Sequence, residues 1–593
     1  LPLDPADLDW TDDGAPRSKR FGDIYFSREG GLDETRAVFL QGCGLPGAWQ
    51  GRSHFTVGEL GFGTGLNILA LLKLWARTRT PGQTLSVFSI EAYPLPREDA
   101  ARALSAWPEL GALSQPLLGV WPRRAPGFHR VSWPESGVTL DLAQGEALWA
   151  LEQWTGAADA WFLDGFSPAL NPGMWREEVL AAVTARSAPG AVLATFTVAG
   201  AVRRGLQAAG FAVDKRPGHG AKRERLEARF AGEPGPASPL PTVAVIGAGI
   251  AGASLVRALT ALGLDPVVVE AEGRGAGASG NPAALVTPAL DAGGGARARL
   301  YAQAFSRAVD LYRAVGPAVV ANEGVIQLQS GERDGARFDT VAAGDVFEPG
   351  ALVRLTPAQA TAALGYPAQV GAVRFTEGLV IRPPALLDVW LGGARRLHAH
   401  VASLRRREGD GWTLLDEEGH ALLAADVVCV AAGAQVDALL DQPLPLLPVR
   451  GQASWAEGLD LPTAVVWGGY AAPFDGGLLF GATHDRGRTD TGTDPADHER
   501  NLDILAQALP AVAQSARLIP VQGRASIRAA AHDRMPVAGA VGDGLYVLGG
   551  LGSRGFTTAP LLAEHLAALI AGTPSPMPRD LQSTVEPSRL RKK

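Results

Sequence analysis

The stretch Val243-Ala-Val-Ile-Gly-Ala-Gly-Ile-Ala-Gly252 decides how the second half of this chain folds. Val243 to Ile246 reads as a buried strand, and the helical run Ala251 to Leu262 follows almost at once. Between them Gly247, Gly249 and Gly252 carry G-x-G-x-x-G spacing, and a second strand, Val267-Val-Val-Glu270, completes the unit. This is a βαβ opening of Rossmann type. Gly247 makes the tight turn, Gly249 admits a pyrophosphate near the helix N-terminus, Gly252 allows close helix packing, and Glu270 stands where a carboxylate meets ribose hydroxyls.

Upstream, Ala231 to Pro241 (AGEPGPASPLP) is Pro-rich and apolar-poor, which marks a linker. It divides the 593 residues into a first domain, 1–230, and a second, 242–593, each large enough for its own core. The first domain repeats the theme. His54 to Leu60 reads as a strand, Gly61-Phe-Gly-Thr-Gly65 as a loop, Leu66 to Trp75 as an apolar helix, and Leu85 to Glu91 as the next strand. Strand-like runs at Val138–Leu142, Ala160–Leu163 and Ala191–Thr197, with a helical stretch at Glu177–Ala185, predict an α/β domain on a parallel sheet. Downstream of Glu270, runs such as Ala372–Phe375, Trp412–Asp416 and Gly477–Ala482 predict an antiparallel, β-rich substrate subdomain.

Composition narrows the class. Hydrophobic residues at 46% and charged residues at 19% are globular values, so a disordered chain is excluded. The two cysteines, Cys43 and Cys429, form neither a disulfide framework nor a zinc pattern, and no metal site is expected. Without a long apolar segment or a basic leader, a cytoplasmic, membrane-free and monomeric protein is expected. The net charge of -7 gives no global attraction for DNA or RNA, so a polyanion needs a local basic surface.

The chemistry sits at the two glycine loops. Glu59, Gly61, Gly63 and Gly65, with Glu91 ending the next strand, predict a nucleoside cofactor. A G-x-G-x-G loop running into Leu66-Asn67 suits S-adenosyl-L-methionine better than NAD. Trp161-Phe-Leu-Asp-Gly-Phe-Ser-Pro168 delivers a carboxylate at the end of a buried strand, which makes Asp164 the catalytic candidate; a helix cap or turn residue is the plainer alternative. In the second domain Arg274 to Asn281, with Ser279, Gly280 and Asn281, follows Glu270, and Gly549 to Gly555 precedes a terminal helix, Ala559 to Ala571. A late glycine loop of this kind, with Gly552, Ser553, Arg554 and Gly555, places backbone donors at a flavin's pyrimidine end, so FAD is favoured over NAD.

GELGFGTGLN, FLDGFSPALNPGMW and TFTVAGAVRRGLQAAGF together resemble the methyltransferase half of the MnmC family of bifunctional tRNA wobble-uridine enzymes. ASGNP, PVRGQ, FGATHD, GRASIR, DRMP and LGSRG resemble its oxidoreductase half, within the D-amino-acid oxidase and glycine oxidase superfamily. The first match runs from about Phe21 to Leu226, the second from about Val243 to Ala571. The resemblance implies that the FAD domain converts a 5-carboxymethylaminomethyl-(2-thio)uridine into the aminomethyl nucleoside. The first domain then methylates that amine with S-adenosyl-L-methionine. It places Asp164 at the amine and Arg528 on the substrate carboxylate, with Arg554 as second choice and Tyr470 lining the pocket. An ion pair with Asp533 is the structural alternative for Arg528. Cys43 in FLQGC departs from the Asn of the family pattern. Two other readings stand beside this one: a small-molecule amine oxidase fused to an unrelated methyltransferase, and a first domain that only docks RNA.

For a tRNA anticodon loop the strongest phosphate candidates lie in residues 203–229, where eight basic residues face three acidic ones. Arg203, Arg204, Lys215, Arg216, Lys222, Arg223 and Arg225 carry the assignment. A basic tail at Arg589, Arg591, Lys592 and Lys593 is a second possibility.

Overall fold

The computed structural model describes residues 4, 6–26, 30–220, 222–233, 235 and 239–591. Part of the linker (234 and 236–238) and the tail residues Lys592 and Lys593 lie outside the described residues. The chain forms two compact units, Leu1–Pro239 with Gly572–Arg579, and Leu240–Ala571 with Asp580–Lys593.

The first unit is built on an eight-stranded sheet. Its strands are β1 (His54–Leu60), β2 (Thr84–Glu91), β3 (Gly127–Trp133), β4 (Val138–Gln144), β5 (Ala158–Leu163), β6 (Ser187–Thr195), β7 (Phe211–Pro217) and β8 (Glu224–Phe230), in spatial order β3-β4-β2-β1-β5-β6-β8-β7. The central pairs are parallel, and β3, β7 and β8 join antiparallel at the edges. Nearly every residue of β1 and β2 is buried, as a sheet covered on both faces requires. Packing at the centre leaves no slack: a Cβ on Gly58 would lie 2.3 Å from the Trp161 ring. Chain order turns around between β1 and β5, and such a switch point opens a crevice at the strands' carboxyl ends. The loop leading to α1 (Leu66–Thr78), the last residue of β2 and the residue after β5 meet there.

In the second unit β9 (Val243–Ile246), α2 (Ile250–Ala261) and β10 (Val267–Glu270) belong to a six-stranded sheet. Its order is Arg395–His398, β10, β9, Val427–Val430, Leu545–Gly549 and Val537–Gly542, with only the last pair antiparallel. A ten-stranded, mostly antiparallel sheet lies in the region where the sequence predicts the β-rich subdomain. Within it β11 (Leu446–Glu457) is flanked by β12 (Asp485–Arg486) and β13 (Gln522–Ala531), and β13 leads towards α3 (Gly555–Ala571). Arg307 and Arg257 both reach Glu564 on α3, each at 2.7 Å, so a buried ion cluster fixes this helix. Among the described residues no helix is long and apolar enough to cross a membrane.

Candidate active sites

The glycine loop after β1 runs through the left-handed region at Gly61, Gly63 and Gly65 (φ 85°, 52° and 78°), where a side chain would strain the backbone. Glu91 fixes this loop: Oε2 accepts from the Gly63 N–H at 2.8 Å and Oε1 from the Tyr93 N–H at 2.8 Å. Burial raises the Glu91 carboxyl to about 6, and the backbone donors oppose that shift. The carboxylate keeps acceptor capacity for a ribose hydroxyl.

Glu59 is fully buried, accepts from the Ser89 hydroxyl through Oε2, and leaves Oε1 without a partner. Burial pushes its carboxyl up to about 8. An orphaned buried oxygen beside a glycine loop fits a polar ligand group placed there.

Asp164 is held by a relay that the sequence does not reveal. Asn67 Nδ2 donates to Asp164 Oδ2 at 2.7 Å, and Thr35 Oγ1 donates to Asn67 Oδ1 at 2.8 Å. Burial raises the Asp164 carboxyl to about 6, against the Asn67 and Gly165 hydrogen bonds and the Lys222 charge. The carboxyl is therefore protonated below about pH 6 and ionised above, where it can orient and deprotonate an amine. A chemical step that uses the Asp164 carboxylate is expected to slow as pH drops through about 6, with no matching fall in the chemistry of the second unit. Rapid-quench measurements across that range check it, and a flat profile would remove the carboxylate from the step.

An aromatic rim surrounds this loop. Phe166 of the DGFSP turn meets Phe21 and Tyr25 at 4.9 and 5.0 Å between ring centroids, and Asp23 Oδ2 accepts from the Ser167 N–H at 3.0 Å. The Tyr25 ring is also the first group a Cβ on Gly63 would meet, at 3.1 Å. Cys43 is buried, with its thiol 3.4 Å from the Trp161 carbonyl.

The basic run Arg203 to Arg229 divides in the structure. Lys215 pairs with Glu224 at 2.7 Å, Arg216 with Asp214 at 3.2 Å, and Arg225 with Glu227 at 2.7 Å. Lys222 sits on Glu34 at 2.5 Å and over the Phe196 ring at 4.2 Å, close enough to Asp164 to act on its charge. These four must leave carboxylates to reach a phosphate. Exposed Arg204 and Arg223 have no ion-pair partner among the described residues, and Arg203 is half-buried.

In the second unit Glu270 mirrors Glu91: Oε2 accepts from the Ala248 N–H at 2.7 Å and Oε1 from the Glu272 N–H at 2.9 Å. A Cβ on Gly252 would fall 1.9 Å from the Gly247 carbonyl oxygen, so close packing at the start of α2 demands glycine. Ser279 Oγ accepts from the Ile250 N–H at 3.0 Å and would lie 3.1 Å from a Cβ on Gly249. Arg524 Nη2 binds the carbonyls of Gly275, Ala276 and Gly277, which ties the Arg274–Asn281 loop to β13, and a Cβ on Gly280 would fall 2.3 Å from the Gly275 carbonyl oxygen and 3.0 Å from the Arg524 guanidinium. This cradle fits a dinucleotide. Gly249→Val should displace Ser279 and yield protein with at least tenfold less bound FAD, measured as released flavin per chain; a normal flavin content would refute the placement.

The late glycine loop is pinned as well. Gly552 (φ 55°) donates from its N–H to the Ala529 carbonyl at 2.9 Å, and Gly555 opens α3. Ser553 is exposed, and Asn281 half-buried at the facing loop. Arg554 Nη1 donates to the Thr287 carbonyl at 2.9 Å and to its hydroxyl at 3.0 Å, which occupies that nitrogen. Arg528 is freer. Its Nη2 donates to the Thr483 carbonyl at 3.1 Å, it forms no ion pair among the described residues, and it lies beside Tyr470. Burial pulls its pKa down from the guanidinium value, and Tyr470 opposes this. Asp533 is taken by Arg589 at 2.9 Å, so the alternative of an Arg528–Asp533 pair does not occur.

Two cofactor cradles on one chain, one of S-adenosyl-L-methionine type and one of FAD type, define a bifunctional methyltransferase and oxidoreductase. Residues 108–231 match the S-adenosyl-L-methionine-dependent methyltransferase family, and residues 242–569 the FAD dependent oxidoreductase family. A "tRNA 5-methylaminomethyl-2-thiouridine biosynthesis bifunctional protein MnmC" of Caulobacter sp. (strain K31) is 55% identical, over 98% of this chain and 97% of its own. The protein so named in Maricaulis maris (strain MCS10) is 44% identical, over 97% and 94%. L-proline dehydrogenase from P. horikoshii shares the fold of the second unit, with a TM-score of 0.50 at 18% identity over 59% of this chain and 97% of its own. The chain belongs to the MnmC family.

Proposed function

We propose that this protein acts on a tRNA wobble uridine bearing a 5-carboxymethylaminomethyl group, with or without 2-thiolation. The second unit releases the carboxymethyl group, and the first methylates the amine that remains. When bound there, FAD would supply the two-electron acceptor for oxidation of the carbon between nitrogen and carboxylate, so that hydrolysis of the resulting imine can release glyoxylate, and S-adenosyl-L-methionine would supply the methyl group. Glu270, Gly249, Ser279 and the Gly552–Gly555 loop would hold the flavin nucleotide; Glu91, Glu59 and Gly61–Gly65 would hold the methyl donor.

The observation that carries this reading is Arg528, a half-buried guanidinium without a carboxylate partner beside a dinucleotide cradle. A cation taken out of water needs an anion, and the glycine end of the substrate provides one that fits its planar fork. Tyr470 would border the same pocket. At the other site, Asp164 can align the amine and take up its proton, while Asn67 keeps the carboxylate from rotating. Phe21, Tyr25 and Phe166 offer flat faces on which an everted base can stack.

Nucleoside mass spectrometry on substrate tRNA tests the whole. Without S-adenosyl-L-methionine the aminomethyl nucleoside is expected to accumulate, and with it the methylaminomethyl nucleoside. Unchanged tRNA combined with oxidation of free sarcosine or glycine would instead favour a small-molecule oxidase. Deglycylation without methylation or methyl-donor binding would reduce the first unit to a docking module.

A further inference from the structure

The strand register places a further cation in the same row as Arg528. Val449 of β11 lies directly opposite Arg528 on β13 and Arg486 on β12. Opposed residues in antiparallel strands share a face, so the two arginines stand in one row about 10 Å apart, one on each side of a valine. The neighbouring Arg450 points to the other face, where it is fully buried and neutralised by Asp497 at 2.6 Å and Asp490 at 3.0 Å. Nothing comparable answers Arg486. It is exposed and forms no ion pair among the described residues.

Arg534, in the turn after β13, is also exposed and has no ion-pair partner among the described residues. It is the only non-glycine among the described residues with a positive φ, 60°. Such a conformation is strained for a residue with a side chain and persists where something else depends on it. The Tyr301 hydroxyl donates to the Arg534 carbonyl at 3.1 Å, which braces the turn. His484, exposed just before β12, is faced by Arg528, Arg486 and Arg534 together. The carboxylates close by are already committed, Asp485 to Arg500 at 2.8 Å and Asp533 to Arg589 at 2.9 Å.

We propose that Arg486 and Arg534 bind backbone phosphates of the RNA and seat it at the mouth of the Arg528 pocket. The inference rests on the tRNA reading above and extends it: the oxidoreductase unit carries a phosphate surface of its own, separate from the run at residues 203–229. Exposed guanidiniums without protein partners are the groups that gain most from phosphate, and they release counterions when they bind it.

The test is equilibrium binding of an anticodon stem-loop carrying 5-carboxymethylaminomethyluridine to the full-length FAD-loaded protein at several salt concentrations. Arg486→Glu and Arg534→Gly are each expected to weaken binding about tenfold or more and to lower the slope of log Kd against log salt by about one. Glycine suits the backbone at 534, so retained flavin absorbance will show an intact fold, and Arg534→Lys should restore most of the slope. Arg405→Glu removes an exposed, unpaired arginine elsewhere on the same unit and should change little. Variants that bind like the parent with the same slope, or an equal loss in Arg405→Glu, would overturn the proposal while leaving tRNA as substrate. If the parent protein fails to bind the stem-loop, the tRNA reading and the proposal fall together.

Discussion

Asp164→Ala is expected to slow methyl transfer by a factor of about 10² to 10⁴, the usual worth of a positioned general base, while glyoxylate release continues at the parent rate. The two outcomes are separable because the carboxylate and the flavin cradle belong to different units of the chain. The substitution also leaves Asn67 Nδ2 without its acceptor, a local cost of about 1–3 kcal/mol that a unit with this much buried core can bear. Asp164→Asn offers the same shape without the charge and should fail equally, which distinguishes lost chemistry from lost packing. Mass spectrometry of the nucleosides would show the aminomethyl form accumulating with the methyl donor present. A normal yield of the methylated product would sink the assignment.

The second large effect concerns Arg528. Arg528→Ala should lower kcat/KM for the carboxymethylated tRNA by about 10² or more, because a desolvated charge pair is typically worth 3–5 kcal/mol once one partner is removed. Flavin should stay bound, since Arg528 donates only to the Thr483 carbonyl and holds neither glycine loop. Arg528→Lys keeps the charge but loses the two-pronged geometry and should recover only part of the rate. Stopped-flow reduction of the flavin by substrate reads the step directly. An unchanged reduction rate would take the guanidinium out of the site.

The βαβ openings were legible because their signals are local. A run of β-branched residues, glycines at fixed spacing and a terminal carboxylate all fall within about thirty residues, and Val243–Ile246, Val267–Glu270 and His54–Leu60 begin and end where the pattern places them. Glu91 and Glu270 were legible for the same reason. Asn67 was not read as part of the site, because its role depends on Thr35 and Asp164, 32 and 97 positions away. A faint signal existed: it is the lone polar residue in the apolar run Leu66 to Leu72. Arg524 escaped notice likewise, since the carbonyls it gathers are about 250 residues upstream. The basic run at 203–229 shows the opposite failure. Counting charges treats them as independent, whereas the β7–β8 hairpin puts Lys215 and Arg216 within reach of Glu224 and Glu227. The alternation of Leu226 and Ala228 with charged residues was the available clue to that strand.

Arg528 and Asp164 have opposite signs, and on the proposed reading the substrate's side chain changes from a zwitterion to a cation between the two reactions. It arrives with a carboxylate, which the guanidinium attracts. Once that group has gone as glyoxylate, what remains is an alkylamine, cationic near neutral pH, for which the arginine pocket has no attraction and the aspartate pocket does. Loss of the anion therefore acts as the eject signal at one site and the admission ticket at the other. On the proposed reading, electrostatics alone gives the order of the two reactions a direction.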